Sequence, residues 1–499
     1  MRAFLSILIL FISLTTRGQE VSSILDKEIM PPQNIVGVVD LLDKISQDLG
    51  FSLSYNSDIL PDKTRSFDAN RMTVRKLLQY VFDRHDLHFQ FVGNQLVIYV
   101  PNTALVKESD NACYQSFAGL VVDVLTDLPI PKATVRGKDS DLMTVTNEDG
   151  KFALNFPCDS DIAQLSIQAP GYHTKIVYDM DELDLGTIEL EGSYIKLNDK
   201  IVSTMPVENI VEDVLKKVSS NYRTSPSNSK SFFREAIVKN GEVAALSEAA
   251  FNAYNSAYAD TDDNDQVQLI NGRRYNGLSD LDSVRFKLKR SLESCFDLDV
   301  IKNPPAFLLP DEGRAQYRYV LKDIIEMDGR MTYLINFRPK STIADYPYEG
   351  TMYIDKELHS LQAISFELNR KMLRNYDIFV IKSPAGTNTR FIGSKYYVNY
   401  THLDDKLVMN YASIMTQFKV KKERRLSYSK YQTISEYVVN EFETDNVAKI
   451  RSQDAFITGR VFMEEPLTYD PDYWKGMNYI PLEKTLTRTS EKLKSLLQE

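Results

Sequence analysis

Cysteine, tryptophan and histidine are scarce in this 499-residue chain, which holds three Cys, one Trp and five His. None of the Cys forms a CxxC pair, so the thioredoxin and zinc-ribbon signatures are missing. No His stands in HExxH, which removes the zincin ligand pair. GxSxG is absent, and with it the nucleophile elbow of the α/β-hydrolases. Neither GxxxxGK[ST] nor a GxGxxG set between a strand and a helix occurs, so nucleotide phosphates have no backbone cradle. Positive charge is also short: 59 Lys and Arg stand against 69 Asp and Glu, a net charge of -10. That balance argues against general nucleic-acid binding, which needs a basic face to neutralise phosphates.

What remains is ordinary material for folded domains. Hydrophobic residues make up 43% of the chain and charged residues 26%, enough for several independent cores. The length suits two to four domains at roughly 100–200 residues each. With 28 Tyr and 24 Phe, the aromatic content favours strands.

The clusters that could carry chemistry are few, and each has a simple reading. His85 and His88 lie beside Asp83 and Asp86 near a helix end, where the helix dipole alone favours His. Asp260, Asp262, Asp263, Asn264 and Asp265 offer hard oxygen ligands. An EF-hand would need Gly at the sixth position and Glu at the twelfth, which here is Asn271. A solvated loop is the expectation. Lys419, Lys421, Lys422, Arg424 and Arg425 read as a solvated strand end. No catalytic, cofactor-binding or metal-ligating residue is assigned, and no cofactor is expected.

Arg2, the apolar run from Ala3 to Leu14 and the small and polar residues Thr15 to Gln19 describe a secretory signal peptide over residues 1–18. The run is short of the roughly 20 residues of a membrane span, and no later stretch reads as a transmembrane helix. Export permits disulfides. Cys113 and Cys158 fall near the two ends of one strand-rich segment and could pair, which would leave Cys295 free and buried.

Residues 20–100 read as helix and strand twice over, a split βαβ arrangement. Ile35, Val38, Val39, Leu42 and Ile45 recur at helical spacing and stop at Gly50. Phe51, Leu53 and Tyr55 alternate, and 65–69 suggests another short strand. Thr73 caps a helix with Val74, Leu77, Leu78 and Val81 on one face, and a hairpin turns at Gly93–Asn94. The phrases "ISQDLG", "FSLSYN", "TVRKLLQYVF" and "LHFQFVGNQLVIY" resemble the short N-terminal domain of secretins and TonB-dependent receptors. That resemblance implies a periplasmic protein-binding module without catalytic residues. In transducing receptors such a domain signals to an anti-sigma factor.

Residues 101–115 read as a linker. Over 116–191, short strands recur at 8–12-residue spacing without a helix, which indicates a β-sandwich. "FAGLVVDVLTDLPIPKATV", "TNEDGKFAL" and "APGYHTK" resemble a carboxypeptidase-regulatory-like domain, a transthyretin-like seven-stranded sandwich. The resemblance implies no metal and no nucleophile. Residues 200–499 open on an amphipathic helix at 207–218 and a polar loop at 221–229, then become rich in strands. Hairpins are expected at Asn240–Gly241 and Asp328–Gly329, and Met352 and Ile354 should meet Leu361, Ala363 and Ile364. "GTMYID" followed by "LQAISFE" resembles the curved half-barrel of lipoprotein-sorting proteins, and the domain that follows carboxypeptidase-regulatory-like domains in Bacteroidetes envelope proteins. Residues 482–499 look helical, and the alternating segments are too few for a receptor barrel.

The expected architecture is therefore multidomain α+β and β: a split βαβ domain, a β-sandwich, then a β-rich half-barrel-like domain with flanking helices. The expected function is that of a non-catalytic envelope binding or adaptor protein, periplasmic or associated with the outer membrane. Its expected partners are envelope proteins, of TonB-system or anti-sigma type, and a lipid or peptide ligand on a concave apolar surface. The alternative is an envelope hydrolase with an unrecognised site in residues 230–480.

Overall fold

The computed structural model describes residues 25, 27–30, 52–55, 71–82, 88–92, 95–99, 113–138, 140–160, 162–178, 182–193, 205–260, 263–276, 290–310, 312–341, 347–369, 387–422 and 427–483. The chain divides into two compact units, Met1–Ser109 and Asp110–Glu499. The signal peptide, the helix expected from Ile35 to Ile45, the strand at 65–69 and nearly all of the expected C-terminal helix lie outside the described residues.

The described elements of the first unit are β1 (Glu28–Ile29), β2 (Ser52–Tyr55), β3 (Met72–Thr73), α1 (Val74–Phe82), β4 (His88–Val92) and β5 (Gln95–Tyr99). Val74, Leu77, Leu78, Val81 and Phe82 are buried, the three-and-four spacing that turns one stripe of a helix inward. The Thr73 hydroxyl accepts from the Lys76 amide at 3.3 Å and caps the first turn. β4 and β5 form an antiparallel hairpin with Val92 opposite Gln95, and β2 lies parallel to β5.

The second unit begins with seven strands: β6 (Tyr114–Asp123), β7 (Thr134–Gly137), β8 (Met143–Val145), β9 (Lys151–Pro157), β10 (Leu165–Gln168), β11 (Lys175–Val177) and β12 (Asp184–Leu190). They form two sheets, in the orders β11-β10-β7-β8 and β12-β6-β9. Phe117, Val121, Val135, Phe152, Leu154, Leu165 and Ile167 fill one core. β6 starts at Tyr114, so the last residues of the segment read as a linker already belong to a strand. Cys113 and Cys158 are joined by a disulfide, their Cα atoms 5.3 Å apart. Gly150 has φ +73°, and a Cβ there would lie 2.4 Å from the Val121 carbonyl oxygen. Only glycine fits that turn.

The remaining elements are α2 (Val207–Lys216), α3 (Val218–Asn221), β13 (Ser227–Lys239), β14 (Glu242–Asn255), β15 (Gln266–Asn276), α4 (Ser291–Asp297), α5 (Glu312–Ala315), β16 (Tyr317–Met327), β17 (Arg330–Pro339), β18 (Tyr348–Asp355), β19 (Leu361–Leu368), β20 (Thr387–Leu403), β21 (Lys406–Lys422), β22 (Ser429–Glu443) and α6 (Pro471–Gly476). The ten strands form one antiparallel sheet, ordered β15-β14-β13-β22-β21-β20-β19-β18-β17-β16. The protein is thus mostly β. The polar loop expected over 221–229 is shorter than its composition suggests, because Ser227 already pairs with Asn255. Asn240–Gly241 and Asp328–Gly329 turn two hairpins, all four residues at positive φ, the backbone that short hairpin turns need.

One face of the sheet carries the main apolar core. Phe233, Ile335, Phe337, Met352, Ile364, Phe366 and Val398 are buried there with Ile210 and Val214 of α2, Leu292 and Cys295 of α4, Phe307 and Phe462. Each such side chain contributes about 1.5–3 kcal/mol of burial. On the opposite face, Phe232 meets Trp474 and Tyr479. The sandwich rests there too: Asn440 Nδ2 donates to the Met143 carbonyl at 3.2 Å, and Asn155 Nδ2 to that of Met477 at 2.6 Å.

Both outer strands of the sheet are engaged along their free sides. β15 meets the chain after β22: the Phe456 amide donates to the Val267 carbonyl at 2.7 Å, and the Gly272 amide to that of Thr468 at 2.8 Å. β16 is bulged between Leu321 and Asp323, and Ser193 Oγ donates to the Glu326 carbonyl at 2.6 Å.

The disulfide closes a loop of 45 residues in sequence separation. Replacing both Cys113 and Cys158 by Ser is expected to destabilise the second unit by about 3–4 kcal/mol, read as a lower denaturation midpoint that added reductant does not lower further.

Candidate functional site

Strands β16 to β20 alternate, and the alternation sorts their side chains onto two faces. Tyr317, Tyr319, Phe337, Met352, Phe366 and Tyr396 point into the apolar core. Their neighbours Arg318, Val320, Lys322, Asn336, Arg338, Glu349, Thr351, Ser365, Glu367 and Lys395 line an open recess of about 530 Å³ on the other face. Gly350 belongs to its floor, where a Cβ would lie 2.2 Å from the Ser365 carbonyl oxygen. The absent side chain lets β18 and β19 approach at this point.

The recess is charged and its charges are unspent. Among the described residues, none of Arg318, Lys322, Arg338, Lys395, Glu349 and Glu367 makes an ion pair. Glu349 accepts a single hydrogen bond, from Asn369 Nδ2 at 2.8 Å. Val320 is 48% exposed in the middle of the lining.

The buried ionisable groups of the same body are held by the fold. Arg234 is fully buried, and its Nε donates to Glu248 Oε1 at 2.7 Å. Arg273 Nε reaches the other Glu248 oxygen at 2.6 Å, and the Arg273 guanidinium lies 4.0 Å from the centre of the Trp474 ring. Arg234 also donates to the Ile480 carbonyl, and Tyr411 donates to Glu436 at 2.8 Å. Burial opposes the Glu248 charge, but Arg273 and Arg234 outweigh it and hold the carboxyl below its ordinary value.

Glu235 has no such cation in contact. Burial pushes its pKa up to about 7, against a hydrogen bond from Ser291 of α4 and the field of Arg274. Its second oxygen has no partner. Asp299 is raised by burial too, although Lys302 and the Tyr258 and Tyr400 hydroxyls oppose the shift. Cys295 is buried and free, its thiol pushed up by burial, so it is an inert core residue.

The three His with described side chains all face carboxylates. His359 Nδ1 lies 2.8 Å from Asp213, His173 Nδ1 3.3 Å from Glu326 and His402 Nδ1 3.5 Å from Asp328. The small cavities beside His402 and beside Asp299 measure about 20 Å³ each, room for about one water molecule. Neither admits a substrate.

The clusters singled out in the sequence are not brought into the recess. His85, Asp83 and Asp86 lie outside the described residues, and the His88 backbone is in β4. The acidic run is not simply solvated. Asp263 accepts from the Tyr254 hydroxyl and from Lys449, both at 2.6 Å, and Asp265 from Lys302 at 2.7 Å. These bonds tie the ends of β14 and β15 to neighbouring segments, which explains why carboxylates gather there. Among the described residues no group of three His, Cys, Asp or Glu is placed to hold a metal ion, and no helix is long and apolar enough to cross a membrane. Lys419 and Lys421 stand on β21 near its end, while Arg424 and Arg425 lie outside the described residues. The apolar face expected to be open is filled by the chain's own aromatic residues, and the recess lies on the polar face instead.

No protein-family model and no curated protein matches this sequence. Among solved structures, an outer membrane lipoprotein-sorting protein domain from Vibrio parahaemolyticus aligns with 50% of this chain and 97% of its own, at 11% identity and a TM-score of 0.21. A DUF1329 family protein from Desulfovibrio piger aligns with 49% of this chain and 96% of its own, at 14% identity and a TM-score of 0.21. Lipovitellin aligns with 49% of this chain and 28% of its own, at 10% identity and a TM-score of 0.25.

Glu235 yields a pH test. Its folded pKa, about 7, is above the ordinary 4.5, so the folded state holds the extra proton between those values. The stability tied to that proton is fully present below about pH 4.5 and is lost as pH rises through about 7. Between pH 4 and pH 8 the native chain should lose roughly 3 kcal/mol that Glu235→Gln retains. Urea denaturation of both proteins at the two pH values measures the difference, and parallel profiles would refute the assignment.

Proposed function

We propose that this chain is an exported, non-catalytic binding protein of the bacterial envelope that holds a partner in the open recess on β16 to β20. One observation carries the reading: this recess collects four cations and two carboxylates without an ion pair among them, while the buried charges of the same body are paired or hydrogen-bonded. Charged groups that serve only the fold tend to be matched internally. Unmatched ones on a concave surface suit a ligand that supplies the counter-charges.

The disulfide between Cys113 and Cys158 supports export, because such bonds persist in oxidising compartments. The short N-terminal unit and the seven-stranded sandwich, with their resemblance to secretin, TonB-receptor and carboxypeptidase-regulatory-like domains, are read as recognition and spacer modules. Their partners on this reading are other envelope proteins, TonB-system or anti-sigma-type components among them.

A photo-crosslinking residue at Val320 tests the reading in living cells. A discrete adduct should form in the envelope fraction and disappear with Arg338→Glu and Lys395→Glu, while the same probe at exposed Leu125 gives none. Adducts that persist in the charge-reversed protein, or no adduct at all, would remove the recess as a binding surface.

A further inference from the structure

The strand register arranges the recess charges in a fixed order. Arg318 stands opposite Arg338. Phe337 opposite Gly350 sets Arg338 beside Glu349. Glu349 stands opposite Glu367, and Glu367 opposite Lys395. Five adjacent strands thus carry one lateral row of two cations, two carboxylates and one cation. Like charges directly opposite each other in a sheet repel, and this row contains two such pairs, Arg318 with Arg338 and Glu349 with Glu367. Arg338 also neighbours Glu349 and Glu367 faces Lys395, yet among the described residues none of these neighbours closes to an ion pair.

Resting on the recess being the binding surface, we propose that its occupant is an extended peptide in which a basic residue is flanked by acidic ones. The ligand runs across the strands. Its basic side chain sits between Glu349 and Glu367, one acidic side chain meets Arg318 and Arg338, and the other meets Lys395. Neighbouring strands are about 4.8 Å apart and an extended chain advances about 3.3 Å per residue. The arginine pair is centred two strands from the carboxylate pair, about 9.6 Å, and Lys395 one and a half strands away, about 7.2 Å, while side chains on one face of an extended ligand recur every second residue, about 6.6 Å. The matching pattern is acidic-x-basic-x-acidic, with the long side chains of Arg318 and Arg338 leaning across the remaining ~3 Å. A surface of anionic lipid or a nucleic acid presents one sign of charge along its length, and the central carboxylates would repel it. The volume of about 530 Å³ lies in the range of sites that hold a short segment.

The test uses the full chain and three labelled synthetic peptides, read by fluorescence anisotropy at low and at moderate salt. Asp-Ala-Lys-Ala-Asp should bind at least tenfold more tightly than its charge-inverted counterpart Lys-Ala-Asp-Ala-Lys, and more weakly as salt rises. The double variant Glu349→Lys with Glu367→Lys should lose that binding tenfold and gain affinity for Asp-Ala-Asp-Ala-Asp. Circular dichroism checks that the variant is folded. Equal binding of the inverted peptides, or none, overturns the proposal. So does capture by phosphatidylglycerol vesicles that depends on Arg318 and Arg338 while the peptides do not bind. A Val320 adduct that survives such a failure leaves the recess as a binding surface with a different occupant; loss of both removes the recess altogether.

Discussion

A guanidinium group without access to water lies at the centre of the larger unit. A buried cation is tolerable only with carboxylates and carbonyls arranged around it. Arg234 on β13 takes Glu248 from β14, Glu436 from β22 and the Ile480 carbonyl from the segment after α6. Those partners come from the two strands flanking β13 and from a stretch nearly 250 residues away, so the ion cluster and the chain path depend on each other. The segment that supplies Ile480 also brings Trp474 and Tyr479 over the sheet and Asn478 against Asn155 of the sandwich. One part of the polar face is closed in this way. Among the described residues the part formed by β16 to β20 is left open, and the recess lies there.

Much of the fold is legible in the sequence because its local signals are strong. Asn240–Gly241 and Asp328–Gly329 need positive φ, and the two hairpins turn there. Val74, Leu77, Leu78 and Val81 lie on one helix face because the 3.6-residue period leaves no other way to bury them together. Strand ends are less legible. Ser227 and Tyr114 are polar or exposed, yet each joins a strand because its partner strand continues past the point where apolar residues stop.

The candidate site was hidden for a different reason. Arg318, Arg338, Glu349, Glu367 and Lys395 are each ordinary outward residues of an alternating strand. Only the lateral register of five strands makes them neighbours, and register depends on turns and bulges such as those at Leu321 and Tyr353. The acidic run at Asp260 to Asp265 misled in the opposite sense. Its density resembles a solvated loop, but Tyr254 of the preceding strand and Lys302 and Lys449 from further along the chain bind it.

A broad antiparallel sheet has two outermost strands whose free amides and carbonyls can template further strands. Here the Phe456 and Gly272 amides are committed on one flank, and a bulge carrying Lys322, together with Ser193, breaks the other. Two copies of this sheet would therefore meet interrupted edges rather than an unbroken line of free backbone groups. The broad face offers side chains, which differ along the sequence, whereas an edge offers backbone, which is alike for any extended strand.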